Sequence, residues 1–292
     1  MIPRCHLFEF NDLGWFPQNF RDALTAFLSV LERRLKPYHP VHPQILGAIR
    51  STGRNAVVDL CTGNGMSALA LRESAVAEEV TLEWLLTDLF PTNSPATFPG
   101  QNNGTGIVYL RRPINACAPT LDGYQNAFRT IFTAFHHFRP EDAAKVLQSA
   151  VDARAGIAVC EFTHRSVGNC LKYLATPLLV CVVMLRIRPI RWDWLFFTFV
   201  IPILPLAIAW DGMVSNLRSY SAVELQELVH SVPGHATYRW EIGVADGCWM
   251  FPTITYLIGS PETLSLLVAS CELADRNATI CWGDDELIRH EF

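Results

Sequence analysis

The sequence predicts an α/β fold, with a doubly wound, mostly parallel sheet between two layers of helices. Three observations favour it. From residue 55 onward, short β-rich runs alternate with segments of helical periodicity. Hydrophobic residues make up 50% of the 292-residue chain, so one large core can form. Two further strand-like runs come late, at 236–245 and 253–260, and we expect them to pair.

The other elements follow in chain order. Helices are predicted over 17–36, where the basic end suits a helix C-terminus, and over 43–53, which stops at Gly53. Five strands come before the long apolar region, at 56–61, 81–88, 106–112, 128–135 and 156–162. The remaining predicted helices are 66–74, 140–154 and 221–231.

Composition and charge limit the functional class. The net charge of −5 gives no reason to expect a nucleic-acid partner. The nine cysteines include no Cys-x-x-Cys pair, which argues against a zinc site and a disulfide framework and fits a reducing compartment. The first residues carry acids early and lack a long apolar core, unlike a signal peptide. We therefore expect a cytoplasmic location and no metal site.

The first strand leads into a glycine-containing turn. Asp59 ends the strand, and Gly63 and Gly65 follow directly before the helix at 66–74. Glycine lets the backbone approach a ligand closely. Asp88 ends the second strand 25 residues after Gly63, near the roughly 20-residue offset of the ribose-binding acid in dinucleotide folds. Alone, such a turn is a weak signal, because many strand-to-helix connections contain glycine.

Together with the strand order, these motifs resemble the class I, Rossmann-like S-adenosylmethionine-dependent methyltransferases. The resemblance covers about residues 45–165 and 237–260. It implies a seven-stranded sheet, S-adenosylmethionine as cofactor, a glycine turn beneath the methionine part and an acid on the ribose. The residues that it assigns to the cofactor are Asp59, Gly63, Asn64, Gly65, Asp88, Leu89, Asn115, Ala116 and Thr133.

Two positions depart from that family's pattern. Cys61 stands where its first glycine would be, and Asn115 stands where an acid usually binds the adenine amino group. A dinucleotide dehydrogenase is the other α/β interpretation, and it requires Gly-x-Gly-x-x-Gly. Ala68 is acceptable at the last position of that pattern, but Cys61 again replaces the first glycine, and the late strand pair favours methyl transfer.

Candidate catalytic groups follow the fourth and fifth strands. His136 or His137 could act as a general base, or one could cap a helix while the other is a buried hydrogen-bonding ring. As neighbours in a strand they are expected to face opposite sides, which argues against a shared metal ion. Glu161 either orients a substrate or pairs with Arg165, and Asp211 either contacts substrate or caps a turn.

The region 171–210 contains two apolar runs around Arg186, Arg188 and Arg191. As helices, 173–185 and 194–210 would be about 20 and 25 Å long, whereas a bilayer core is about 30 Å thick. The late strands must return to the same sheet, so the chain can cross a membrane only an even number of times. We expect a helical hairpin that dips into one leaflet or covers the site as a hydrophobic lid, the alternative being a buried core insertion.

These observations divide the chain into five segments and predict one function. The segments are a helical cap (1–54), a cofactor-binding core (55–170), an apolar hairpin (171–220), the end of the core with the strand pair (221–261) and a C-terminal extension (262–292). The expected reaction is methyl transfer to a small hydrophobic acceptor, such as a secondary metabolite or a lipid-like molecule. The alternatives are a membrane-associated protein that keeps the fold without the activity, and an NAD-dependent oxidoreductase.

Overall fold

A computed structural model describes residues 2–92 and 106–262, so most of the predicted C-terminal extension lies outside the described residues. Its centre is a seven-stranded mixed sheet in the order β3-β2-β1-β4-β5-β7-β6. The strands are β1 (Ala56–Asp59), β2 (Glu83–Leu86), β3 (Ile107–Tyr109), β4 (Phe128–Phe132), β5 (Ile157–Glu161), β6 (Tyr238–Asp246) and β7 (Thr253–Pro261).

Strand direction follows from the connections. The pairs β1–β2, β1–β4, β2–β3 and β4–β5 are parallel, whereas β7 runs antiparallel to both β5 and β6. The predicted pairing of the two late strands is therefore confirmed. The six residues between β6 and β7 are enough to join an antiparallel pair, whereas each parallel pair needs a longer crossover.

Helices cover both faces of the sheet. They are α1 (Gln18–Leu35), α2 (His42–Thr52), α3 (Met66–Ala77), α4 (Pro140–Asp152), α5 (Val167–Lys172), α6 (Thr176–Met184), α7 (Trp192–Phe199), α8 (Ile203–Arg218) and α9 (Ala222–Ser231). Every residue of β4 and β5 is buried, as expected for central strands with both faces covered. Helix α9 begins with a capping box in which Ser221 and Glu224 each bond the other's backbone N–H.

The core has a layer on each side of the sheet. Residues such as Val58, Ile131 and Val159 pack towards α4 and α9, and their neighbours Val57 and Phe128 pack towards α2 and α3. This alternation places successive strand residues on opposite faces. One close approach requires glycine, since a Cβ at Gly156 would lie 2.4 Å from the Phe128 ring.

The region between β5 and β6 is helical, and it is more divided than a two-helix hairpin. Helices α5 and α6 are joined through a 3-10 turn, and α7 and α8 follow. Helix α8 runs on to Arg218, so most of residues 210–221 continue an apolar helix. Together with α1, these helices form a third apolar cluster that includes Phe27, Val180 and Leu204.

One helix of the described residues is long and apolar enough to span a membrane, namely Val167–Met184, and only 17% of it is buried. The sequence predicts an apolar run of 13 residues that begins at Tyr173. In the structure the span begins earlier, with α5, and comprises 18 residues. A second pair, Trp192–Phe199 with Ile203–Arg218, passes the same test only as one span bent by 78°. One or two such helices are weak evidence for a membrane span.

Candidate active site

The strand order reverses between β1 and β4, and ligands of open α/β sheets bind beyond the carboxyl ends of the strands at this point. Two non-glycine residues there have left-handed backbone conformations. Cys61 follows β1 with φ 58°, and Thr133 follows β4 with φ 50°. For a β-branched residue such as threonine, a positive φ is a true outlier. Backbone strain of this kind concentrates at functional sites.

The glycine turn lies at the same edge. Gly63 has φ 56° and Gly65 has φ 90°, so both use the conformational freedom of glycine. The turn is held by two acids. Asp88 Oδ2 accepts a hydrogen bond from Gly63 N at 2.8 Å, and Asp59 accepts from Thr62 and Thr130 at 2.5 Å each. Asp59 therefore fixes the turn.

The acids around the turn form no ion pair with a basic side chain of the described residues. Burial raises the pKa of Asp59 to about 7, and its threonine hydrogen bonds offset only part of this. Burial also raises the pKa of Glu32 on α1 to about 7, and Asp59 adds to the rise. Across residues 2–92 and 106–262, no Lys, Arg or His nitrogen forms an ion pair with Glu32, Asp59 or Asp88. A positively charged ligand would be stabilised here.

Helix α1 packs directly over this turn. The Thr25 methyl group lies 3.4 Å from the position that a Cβ on Gly63 would take. The Asn64 amide donates to the Ser29 hydroxyl, also on α1. A ligand directly above Gly63 would therefore contact this part of α1.

The other residues expected to bind the cofactor have varied surroundings. Asn115 is exposed, and its side-chain oxygen accepts from Cys117 N at 2.9 Å. Ala116 is buried, whereas 46% of Leu89 is exposed. The Thr133 hydroxyl is hydrogen-bonded to the Tyr38 hydroxyl. Leu89, Asn115 and Ala116 all come after the outer strands β2 and β3, as the resemblance requires of residues near an adenine.

A cavity of about 520 Å³ is lined by Thr133 and by Thr25, the residue of α1 that packs against Gly63. It lies between the β4–β5 edge of the sheet, α1 and the helices of the apolar region. Most of its lining surface is apolar, although polar side chains also line it, and four of these lie close together in what we call the polar wall. The lining includes Leu24, Leu28, Phe162, Tyr173, Leu179, Ile208 and Met250, and the polar wall includes Glu9, His136, His137 and Asp211.

His136 and Glu161 form a buried dyad at that wall. His136 Nδ1 is 2.9 Å from Glu161 Oε2, and the His136 backbone N donates to Glu161 Oε1 at 3.1 Å. Burial opposes ionisation of Glu161, but His136 outweighs it and lowers the carboxyl pKa. The expected alternative pair of Glu161 with Arg165 is wrong, because Arg165 bonds Glu224 at the start of α9 instead.

His136 and His137 do not lie in a strand. They belong to a 3-10 turn, Phe135–His137, that follows β4, and their ring centroids are 4.3 Å apart. The expectation that they face opposite sides is therefore wrong, since that rule holds for extended backbone. The histidines contact one shared acid: Glu9 Oε1 is 3.8 Å from His136 Nε2, and Glu9 Oε2 is 3.7 Å from His137 Nε2.

A second carboxylate holds His137. Its Nδ1 is 2.7 Å from Asp12 Oδ1, and Arg218 Nη1 is 2.5 Å from Asp12 Oδ2. Burial lowers the pKa of His137, but Glu9 and Asp12 together raise it to about 9. Burial opposes ionisation of Asp12, yet His137 and Arg218 prevail and keep its pKa below the ordinary range.

Asp211 anchors the N-terminal segment rather than a turn of its own helix. It accepts from the backbone N–H groups of Phe10 (2.8 Å) and Asn11 (3.1 Å), and burial raises its pKa to about 7. Through these bonds Asp211 places Glu9 and Asp12 at the cavity. The sequence analysis assigned no role to either acid. Their only signal was the occurrence of acids within an apolar run, "HLFEFNDLGWF".

Comparison with known proteins gives structural similarity only. No protein-family model and no curated protein matches this sequence. A Rhodobacter sphaeroides protein named after zinc-dependent alcohol dehydrogenases is 12% identical, over 83% of this chain and 98% of its own, with a TM-score of 0.46. The CMeT domain of the citrinin polyketide synthase is 8% identical, over 72% of this chain and 47% of its own, with a TM-score of 0.44.

An O-methyltransferase family protein from Burkholderia thailandensis is 13% identical, over 76% of this chain and 56% of its own, with a TM-score of 0.40. This chain thus spans about half the length of the polyketide synthase structure and of the O-methyltransferase family protein. Overlaps with TM-scores below 0.5 support no functional argument. The structure itself shows an α/β fold with a seven-stranded mixed sheet, as the resemblance to the class I methyltransferases implies.

Proposed function

We propose that the protein transfers a methyl group from S-adenosylmethionine to a small hydrophobic acceptor. The observation that carries this proposal is the position of the cavity. It is lined by Thr133, beside the strand-order reversal, and its hydrophobic walls converge on the polar groups around His136. A pocket of this kind, mostly apolar with a few convergent polar groups, is typical of small-molecule sites.

The residues at the turn fit the cofactor in charge. S-adenosylmethionine carries an ammonium and a sulfonium group, and the turn offers Glu32, Asp59 and Asp88, which form no ion pair with the described part of the chain. Gly63 and Gly65 would hold the methionine part and Asp88 the ribose. Asn64 would assist at the turn, and Leu89, Asn115 and Ala116 would lie at the adenine. The bound cofactor supplies an electrophilic methyl group.

The chain's own contribution is alignment, exclusion of water and removal of a proton. Thr133 follows β4 at the reversal of the strand order and lines the cavity, so the acceptor can approach the cofactor there. Glu161 orients the His136 ring through Nδ1, which leaves Nε2 directed at the cavity wall as a proton acceptor for a hydroxyl group. His137 and Asp211 position this wall through Asp12 and the N-terminal segment.

Calorimetric titration of S-adenosylhomocysteine tests the cofactor assignment. Micromolar binding is expected in the wild type, and its loss is expected in Asp88→Ala. The matched control is Asp122→Ala, an exposed acid in a surface ion pair, which should bind as the wild type does. Binding that survives Asp88→Ala would contradict the assigned cradle. Binding of NADH in its place would support the oxidoreductase alternative.

The second candidate function is a non-catalytic protein that keeps this fold. The packing of Thr25 against Gly63 favours it, because α1 then fills the space above the turn as part of the folded core. The same titration distinguishes the two functions. If a folded wild-type protein does not bind S-adenosylhomocysteine, the non-catalytic function is the better explanation.

Either function is compatible with attachment to a membrane surface through the apolar region. Several side chains there project into solvent, and the exposed fraction is 75% for both Leu174 and Leu178 and 76% for Trp192. Arg186 and Arg188 are exposed at the turn between α6 and α7, where they can reach anionic headgroups. Tyr173 and Leu179, from the same region, line the cavity, so an acceptor could enter it from the lipid.

Co-sedimentation with vesicles tests the attachment. We expect binding to vesicles that contain phosphatidylserine, and a loss of at least tenfold in the double variant Leu174→Ser/Leu178→Ser. Val223→Ser is the matched control, since Val223 is 63% exposed on α9, outside the apolar region. Equal binding by the double variant and the wild type would refute attachment through this surface.

A further inference from the structure

Three metal-ligating side chains from two distant segments meet at the polar wall of the cavity. They are Glu9, His136 and His137, and one ligand atom of each lies within 4.8 Å of the other two. Glu9 Oε1 is 3.8 Å from His136 Nε2, and Glu9 Oε2 is 3.7 Å from His137 Nε2. Ligands of a tetrahedral ion at about 2.1 Å would be about 3.4 Å apart. Both contacts of Glu9 are therefore close to the spacing that an ion would require.

The orientation of both rings suits ligation. His136 places its Nδ1 2.9 Å from Glu161, and His137 places its Nδ1 2.7 Å from Asp12. Each Nδ1–H is thus directed to a carboxylate, which leaves each Nε2 free to bind an ion. Metal-binding histidines in proteins almost always donate their other ring N–H in this way, frequently to a carboxylate.

A buried atom without a hydrogen bond points to the missing ligand. His136 is 1% exposed, and within the described residues its Nε2 has no hydrogen-bond partner. Leaving a buried polar atom unpaired is costly. Glu9 Oε1 also lacks a hydrogen bond among these residues, although Arg218 Nη1 lies 3.1 Å away as an ionic neighbour.

Local charge also favours a cation. Glu9, Asp12 and Glu161 contribute three carboxylates around the two imidazoles, whereas Arg218 is the one guanidinium within 4 Å of them among residues 2–92 and 106–262. A divalent ion would bring this cluster closer to neutrality. Two imidazole nitrogens and one carboxylate favour Zn²⁺, Fe²⁺ or a related transition metal over Ca²⁺ and Mg²⁺, which prefer oxygen ligands.

We propose that Glu9, His136 and His137 bind one divalent transition-metal ion through a carboxylate oxygen and two Nε2 atoms. All three residues line the cavity, so the remaining coordination position faces the space assigned to the acceptor. With Nε2 on the ion, His136 could not also act as the base; a hydroxyl group bound to the ion would become more acidic and would lose its proton to water instead. Metal binding itself does not depend on methyl transfer, and it can be measured without cofactor or acceptor.

Titration with Co²⁺ and Zn²⁺ tests the site on the full chain. Co²⁺ reports its ligands by visible absorption, and thiolate ligation would add a charge-transfer band in the near ultraviolet. We expect one Co²⁺ per chain without that band, and displacement by Zn²⁺. In His137→Gln and Glu9→Gln, affinity should fall at least 100-fold. In Asp12→Asn, which weakens the carboxylate partner of His137 and of Arg218 but keeps all three ligands, it should fall about 10- to 100-fold.

Controls separate ligation from folding and from surface binding. His235→Gln, outside the cavity, should retain wild-type affinity, and circular dichroism should show each variant folded. Added Zn²⁺ should raise the melting temperature of the wild type and of His235→Gln but not of His137→Gln. Absence of binding in the wild type, thiolate ligation, or unchanged affinity in a folded His137→Gln would each overturn the proposal.

Discussion

The two halves of the ligand edge are built in different ways. The glycine-turn half comes from one short stretch, Asp59 to Gly65, and from Asp88 at the end of the neighbouring strand. The cavity half joins three distant segments, represented by Glu9, His136 and Asp211. Local backbone conformation therefore defines the first half, and tertiary hydrogen bonds define the second. Substitutions in the cavity half should therefore change stability by leaving a buried charge without its partner. Substitutions at the turn should change stability through backbone conformation or through the protonation of buried acids.

The largest effect is expected in the cavity half, at Glu161. Glu161→Ala removes both acceptors of the buried His136, and the loss of one partner of such a pair costs about 3–5 kcal/mol of unfolding free energy. Urea denaturation measures it. Glu161→Gln should cost less, about 1–2 kcal/mol, because an amide oxygen still accepts one of these bonds.

Asp122→Ala is the matched control for loss of an ion-pair acid. Its side chain is 80% exposed beside Arg112, so the change should stay within about 1 kcal/mol. Equal destabilisation by Glu161→Ala and Asp122→Ala would show that the dyad contributes nothing to the folded wall.

The glycine-turn half should make the free energy of unfolding depend on pH. The pKa of Asp59 is near 3.8 in the unfolded chain and about 7 in the folded one, so the folded state binds more protons between those values. Stability from this residue therefore falls as pH rises from about 4 to about 7, by up to about 4 kcal/mol. Asp59→Asn should flatten the pH dependence in that window, as followed by urea denaturation at several pH values.

Glu32 should contribute to the same pH dependence, since burial raises its pKa to a similar value. Glu32→Gln should also reduce the slope, and the double variant should reduce it further. An unchanged slope in Asp59→Asn would mean that Asp59 is not proton-linked to folding.

The smallest effect is expected from the backbone at Cys61. Its φ of 58° disfavours β-branched side chains, so Cys61→Val should lower the unfolding free energy by about 2 kcal/mol. Cys61→Gly, which fits the conformation, should remain within about 1 kcal/mol of wild type. Thermal and urea unfolding of both variants would check this, and equal losses would argue against left-handed strain at this position.

The difference between the halves also explains what could be predicted from sequence. The strands, the late antiparallel pair and the glycine turn depend on local patterns, and the structure confirms them. The roles of Glu9 and Asp12 could not be predicted, because they depend on Asp211, about 200 residues away, accepting bonds from the N-terminal backbone. The orientation of His136 and His137 was mispredicted, since one 3-10 turn replaces the end of a strand.

The apolar region shows the same limit. Its hydrophobicity and arginines are evident from the sequence, but the continuation of α6 backwards into α5 depends on the Ser166 side chain, which caps α5 by accepting from Asn169 N. That cap is local, and the sequence analysis overlooked it. The packing of α1 over Gly63 is a tertiary contact and could not be inferred from either segment alone.

The measurement that tests the central claim most directly is a crystal structure of the complex with S-adenosylhomocysteine. The account predicts that the ligand lies at the turn, that Asp88 contacts the ribose, and that α1 moves so that Thr25 no longer covers Gly63. It also predicts that the thioether sulfur faces the cavity beside Thr133. Binding at another surface, or a ligand whose sulfur is separated from the cavity by an unchanged α1, would contradict it.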